Sequence, residues 1–180
     1  MNDRITLKGI KHSEFASEET HCFEATVYFD GKKVGTVRNT GQGGCDYEYP
    51  TDNNGWDKMD SYIDTLPPIM TDYRLPNADG EPFTYNESLE GICCDLLNDW
   101  LIEKDVKRTL KNSLAFVIDG DLEAFAKTGE FCRFPLKKKG WTRDKLVEGY
   151  TKIVMEKHPE AVILNNLPLA KVVQLFGGAA

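Results

Sequence analysis

A chain of 180 residues, 41% hydrophobic and 28% charged, is long enough for one domain of ordinary size and too average in composition for a fibrous or wholly disordered protein. No apolar run reaches the roughly 18 residues that cross a bilayer, and the N-terminal MNDRITLKGIKHSEF lacks the apolar core of a secretory signal, so a cytosolic protein without a membrane segment is expected. The five cysteines, Cys22, Cys45, Cys93, Cys94 and Cys132, are odd in number and never spaced C-x-x-C, which argues against a disulfide framework and a zinc knuckle.

Net charge is −7 and unevenly placed: residues 1–105 hold 9 basic and 21 acidic side chains, whereas residues 106–180 hold 13 and 8. The expectation is a single α+β domain over 1–180 with an acidic part (1–105) and a basic part (106–180). An acidic face left uncovered would attract basic partners and repel nucleic acid.

In chain order, Arg4 to Ile10 alternates as a half-buried strand should. Cys22 to Phe29 puts Phe23, Ala25, Val27 and Phe29 on one face, and Asp30-Gly31 turns into Val34 to Arg38, giving the best hairpin signal in the chain. The stretch NTGQGGCDYEY (39–49) then places three glycines ahead of Cys45. Cys45 to Tyr49 alternates and ends at Pro50, which reads as a strand.

Asn53-Asn-Gly55 can cap a short helix with Trp56, Met59 and Ile63 inward and Asp57, Asp60 and Asp64 outward, stopped by Pro67-Pro68. The stretch through Asn77-Ala-Asp-Gly80 to Pro82 reads as a long loop. Thr84-Tyr-Asn-Glu87 matches a capping box, so the longest helix is expected to begin there, with Leu89, Ile92, Cys93, Leu96, Leu97, Trp100 and Leu101 forming its apolar stripe.

Leu114 to Ile118, Leu122 to Lys127 and Phe131 to Phe134 read as strands separated by Asp119-Gly-Asp121 and Thr128-Gly turns. Thr142 can cap a helix with Leu146, Tyr150, Ile153 and Val154 inward, ended by His158-Pro159. Ala161 to Leu164 reads as a strand, and Asn165-Asn166 with Pro168 leads a last helix that Gly177-Gly178 ends. Hairpins without regular β-α-β alternation imply α+β, with antiparallel sheet packed against a long amphipathic helix and smaller helices.

The candidate chemistry is sparse. A phosphate cradle at Gly41 to Cys45 would need a helix to follow, whereas an alternating acidic segment follows; a glycine-permitted turn or bulge fits better. Cys45 as nucleophile would need a base or cation, yet Asp46 and Glu48 push its pKa the wrong way and only His12, His21 or His158 brought up by folding would help. Adjacent His21 and Cys22 on a strand face opposite ways. The set His12, His21, Cys22 and Cys45 matches no recognised zinc spacing, and Asp119, Asp121 and Glu123 lack the other positions of a calcium loop. Neither catalytic residue, metal nor cofactor is expected; a Cys-based or metal-dependent enzyme centred on Cys45 is the least favoured alternative.

Two surfaces stand out. Asp46, Tyr47, Glu48, Tyr49, Asp52, Trp56, Asp57, Asp60 and Asp64 crowd carboxylates and aromatics into one span, suited to a protein partner with a basic surface. Lys137, Lys138, Lys139, Trp141 and Arg143 combine charge with an aromatic and would be the nucleic-acid-binding alternative.

The segments EFASEETHCFEATVYFDGKKVG and GQGGCDYEY, with the closing VILNNLPLAKVVQLF, resemble small uncharacterised proteins of phages and mobile elements. The resemblance covers about a third of the chain and carries no catalytic residue across. It implies an accessory protein in the bacterial host cytosol, with an inhibitor of host defence or nucleic-acid-handling machinery as the expected role.

Overall fold

The computed structural model describes residues 4–74 and 82–178, without the side chains of 72–74. The chain divides into two compact units, Met1–Leu97 and Asn98–Ala180, and the division falls inside its longest helix. All strand pairings are antiparallel and the class is α+β, with 44% helix and 28% strand.

Unit one is built on a four-stranded sheet in the order β1 (Ile5–His12), β2 (Cys22–Phe29), β3 (Lys32–Thr40), β4 (Tyr47–Pro50). Asp30 (φ 47°) and Gly31 (φ 76°) form the β2–β3 turn, the mirror-image turn whose twist suits a hairpin. Period two puts Phe23, Ala25, Val27 and Phe29 of β2 beside Val37 of β3, all buried.

Helix α1 (Asn53–Ile63) covers that face with Trp56, Met59 and Ile63. Its N-cap is Asp52, one residue before the asparagine pair the sequence favours: the Asp52 carboxylate accepts the Gly55 N–H at 3.1 Å. Gly35 is required under this helix, because a Cβ there would lie 2.4 Å from the Trp56 ring. Burying Trp56 against bare backbone draws it out of the surface patch and into the core.

The long loop expected after α1 is in part a hairpin of β5 (Ile69–Arg74) and β6 (Pro82–Tyr85). Short strands with exposed residues give little alternation to read, and the Asn77 to Gly80 turn lies outside the described residues. Because Thr84 is spent in β6, the longest helix, α2 (Leu89–Asn112), starts later than its capping-box reading. Ser88 caps it instead, its hydroxyl accepting the Gly91 N–H at 3.0 Å. Leu89, Ile92, Cys93 and Leu97 are buried as the stripe predicts.

In unit two, β7 (Ser113–Val117) lies between β8 (Cys132–Pro135) and β9 (Val162–Ile163) and is buried on both faces. Leu114 and Phe116 pack with Leu146 and Val154 of α4 (Arg143–Lys157). Ala115 and Val117 meet Val106, Phe125 of α3 (Leu122–Thr128) and Val172 of α5 (Leu169–Gly177).

Leu122 to Lys127 is therefore a helix and not a strand. The Asp121 carboxylate accepts the Glu123 and Ala124 N–H groups, and Gly129 closes the helix at φ 68°. The Asp119-Gly-Asp121 turn becomes a helix entry, using the carboxylate that a calcium reading would have claimed. Ile153 of α4 is 42% exposed, against its expected inward position; Leu146 and Val154 occupy the buried stripe.

Asn165 binds this unit together. Its amide donates to the Leu110 and Ser113 carbonyls at 2.9 and 3.0 Å and accepts the Ala115 N–H at 2.8 Å. Asn165→Ala strands three backbone groups and is expected to cost about 2–3 kcal/mol in denaturant unfolding, against less than about 0.5 kcal/mol for exposed Asn166→Ala. Equal effects would show that these bonds contribute nothing.

Candidate functional site

The glycine loop between β3 and β4 sets the geometry of the site. Gly41, Gly43 and Gly44 all have φ near +86° (86°, 85° and 88°), and a Cβ at Gly41 would meet the Ala16 carbonyl oxygen at 2.0 Å. Asn39, buried, is the hub: its Oδ1 accepts from the Thr20 hydroxyl (2.7 Å) and the Gly41 N–H (2.9 Å). Its Nδ2 donates to the Gly44 carbonyl (3.2 Å) and the Asp46 carboxylate (3.0 Å). Every hydrogen-bonding position of that amide is used. The Gly41 N–H is taken by Asn39 and the Gly43 N–H by Thr20, so neither is offered to an anion.

Strand β4 then splits the patch that the sequence groups together. Glu48 lies opposite buried Val37, on the side that carries α1, whereas Tyr47 and Tyr49 lie opposite Arg38 and Thr36 on the other face. The tyrosines are exposed, at 56% and 50%, but they do not join the carboxylates. Asp52 is occupied as the α1 cap and Trp56 is in the core. The acidic site thus contracts to Asp46, Glu48, Asp57, Asp60 and Asp64, and it gains Glu90 from the first turn of α2.

The electrostatics show one repelling group. Burial raises the Asp46 carboxyl above its ordinary range, against the Asn39 hydrogen bond and with help from Glu90. Although both side chains reach solvent, partial burial and then Asp60, Asp46 and Glu90 raise Glu48, and partial burial and then Asp57 and Asp64 raise Asp60. Burial, with Asp46 and Glu48 adding to it, pushes the Cys93 thiol far up, so Cys93 stays protonated. Among the described residues none of Asp46, Glu48, Asp60 and Glu90 forms an ion pair. Asp64 also caps the C-terminal end of α1, where the helix dipole disfavours a negative charge.

No family model, curated protein or solved structure matches this chain.

Cys45 is exposed and has no hydrogen bond or ion pair among the described residues. His12 and His21 meet each other edge-on at 5.4 Å; His12 lines a cleft with Cys22, and His21 a smaller one, of about 160 Å³, with Asp46 and Cys94. His158 caps α4 in unit two. Among the described residues no three His, Cys, Asp or Glu side chains converge to hold a metal.

Lys137, Lys138 and Lys139 are exposed, and the Lys138 ammonium stands 5.1 Å from the ring centre of Trp141. Arg143 instead points to the Leu110 and Lys111 carbonyls (3.3 and 3.5 Å), where it closes the C-terminal end of α2. Its part is structural.

Sequence reasoning passed over Glu90 because only the packing of α2 in unit one brings it to β4. The alternation of Cys45 to Tyr49 could have separated Glu48 from the tyrosines.

Carboxyls raised in the folded state bind protons more tightly there than in the unfolded chain. Their contribution to stability is full below the ordinary carboxylate range and is lost as pH rises through the raised values. Glu48→Gln is therefore expected to raise the thermal midpoint by about 1–2 °C near pH 7, the gain vanishing by about pH 4. A gain independent of pH would show that neither burial nor repulsion of the charged carboxylate is its cause.

Proposed function

We propose that the protein is a non-enzymatic binding factor whose acidic ledge, formed by Asp46, Glu48, Asp57, Asp60, Asp64 and Glu90, recognises a basic surface on another protein. The observation that carries this reading is a run of carboxyls, Asp46 with Glu90, then Glu48, then Asp60, raised by burial and next by neighbouring carboxylates, none of them in an ion pair among the described residues. A fold gains nothing in stability from such an arrangement. A lysine- or arginine-bearing partner would remove the repulsion, and the ledge would steer its approach.

The resemblance to phage and mobile-element proteins supports one form of this reading, an inhibitor that covers the basic surface of a nucleic-acid-handling host protein. Such a surface is built for phosphate and offers the cations that the ledge lacks.

Capture of partners from a bacterial lysate on the immobilised protein tests it. A basic protein should be retained at about 50 mM salt and released by about 0.5 M salt. Retention should fall at least about tenfold for the combined Asp57→Lys, Asp60→Lys and Asp64→Lys variant, whose three positions are exposed and leave the core intact. Undiminished retention by that variant would remove the ledge as the interface.

A further inference from the structure

The face of the first sheet turned away from α1 has a different chemistry. Residues 1–97 contain 8 lysines and arginines against 18 aspartates and glutamates, yet four of those eight cations, Lys8, Lys11, Lys33 and Arg38, stand on this one face. Register places them: Lys8 is opposite Thr26, Lys33 opposite Tyr28, and Arg38 opposite both Glu24 and Tyr47. Among the described residues of β1 to β4 on this face Glu24 is the only carboxylate, and Lys11 holds it at 3.0 Å. That leaves Lys8, Lys33 and Arg38 in excess.

Aromatic rings are interleaved with these cations. The Lys8 ammonium lies 4.3 Å from the ring centre of Tyr28, and the exposed Tyr47 and Tyr49 stand on the neighbouring edge strand. An open cleft of about 500 Å³ crosses the adjoining ends of β1, β2 and β3, lined by Lys11, Glu24 and Arg38 among others.

We propose that this face binds single-stranded nucleic acid, with bases stacked on Tyr47 and Tyr49 and phosphates held by Lys8, Lys33 and Arg38. Exposed rings on a sheet take unpaired bases, whose π faces a duplex hides, and cations between the rings follow the backbone. An acidic peptide would meet the cations and leave the tyrosine faces unused. The ledge on the far side of the sheet does not cancel this. Face-to-face layers in a protein stand about 10 Å apart, close to the screening length at 0.1 M salt, so the strand feels mainly the near face. The proposal is independent of the acidic-ledge reading.

Fluorescence anisotropy of the full chain with labelled oligo-dT and oligo-U of about 15 nucleotides tests it. Binding is expected at about 50 mM salt, weakening about 20-fold by about 200 mM, the slope for three phosphates neutralised on a single strand. The Tyr47→Ala, Tyr49→Ala double variant and Arg38→Glu should each weaken it at least about tenfold, while Trp141→Ala leaves it unchanged. Arg38→Glu and Lys8→Glu, both at exposed positions, carry the test if the tyrosine variant alters the circular dichroism. No binding at low salt, equal affinity for duplex, loss with Trp141→Ala alone, or equal competition by polyglutamate would overturn the proposal.

Discussion

The register of β4 is the constraint on which unit one depends. A strand has period two, so a shift of one residue would turn Glu48 outward and drive Tyr47 and Tyr49 toward α1. Nothing in the four residues of β4 themselves prevents this, for all of them are exposed and none is held by core packing. The register is held from both ends: downstream the Thr51 and Asp52 N–H groups donate to the Val34 carbonyl at 2.9 and 3.0 Å, and upstream stands Asn39. Its four hydrogen bonds fix the glycine loop and grip Asp46, the last residue before the strand. Gly41 completes the clasp by letting its carbonyl accept the Glu18 and Glu19 N–H groups at 2.8 and 2.9 Å.

Unit two uses the same device, with Asn165 joining the end of α2 to β7. A primary amide offers two donors and two acceptor sites in one plane, so it can stand in for a peptide group wherever a ladder ends. Each unit thus relies on a side-chain amide where its backbone bonds run out. The carboxylates follow another logic. Asp60 and Asp64 sit toward the end of α1 that favours cations and repel one another, and Asp60 also repels Glu48. Local rules broken together, with no compensating contact among the described residues, are what a surface kept for a partner is expected to show.

Much of this was legible in the sequence. The β2–β3 hairpin, the inward residues of α1, the stripe of α2 and the cap at Thr142 follow from period and turn chemistry. The errors have physical causes. Leu122 to Lys127 carries the apolar residues of a strand, but the Asp121 cap and Gly129 stop decide for a helix. Thr84 and Glu87 form a capping box on paper, yet pairing with β5 claims Thr84 first. Among the site residues, the aspartates of α1 were visible as an outward face. The spacing of Trp56 with Met59 and Ile63 already points it inward, and Gly35, which opens a slot for its ring across the sheet, decides against its part as a partner anchor. Glu90 and the cluster of cations on the outer face became visible only once strands distant in sequence were paired.

The separation of tyrosines from carboxylates by the β4 register is the central claim, and cross-strand nuclear Overhauser contacts measure it directly. The account predicts contacts of Tyr47 with Arg38, Glu48 with Val37 and Tyr49 with Thr36, all weakened by Asn39→Ala while those between β1 and β2 persist. Contacts of Glu48 with Arg38 or Thr36 as its direct partner would put the carboxylate on the tyrosine face and contradict it.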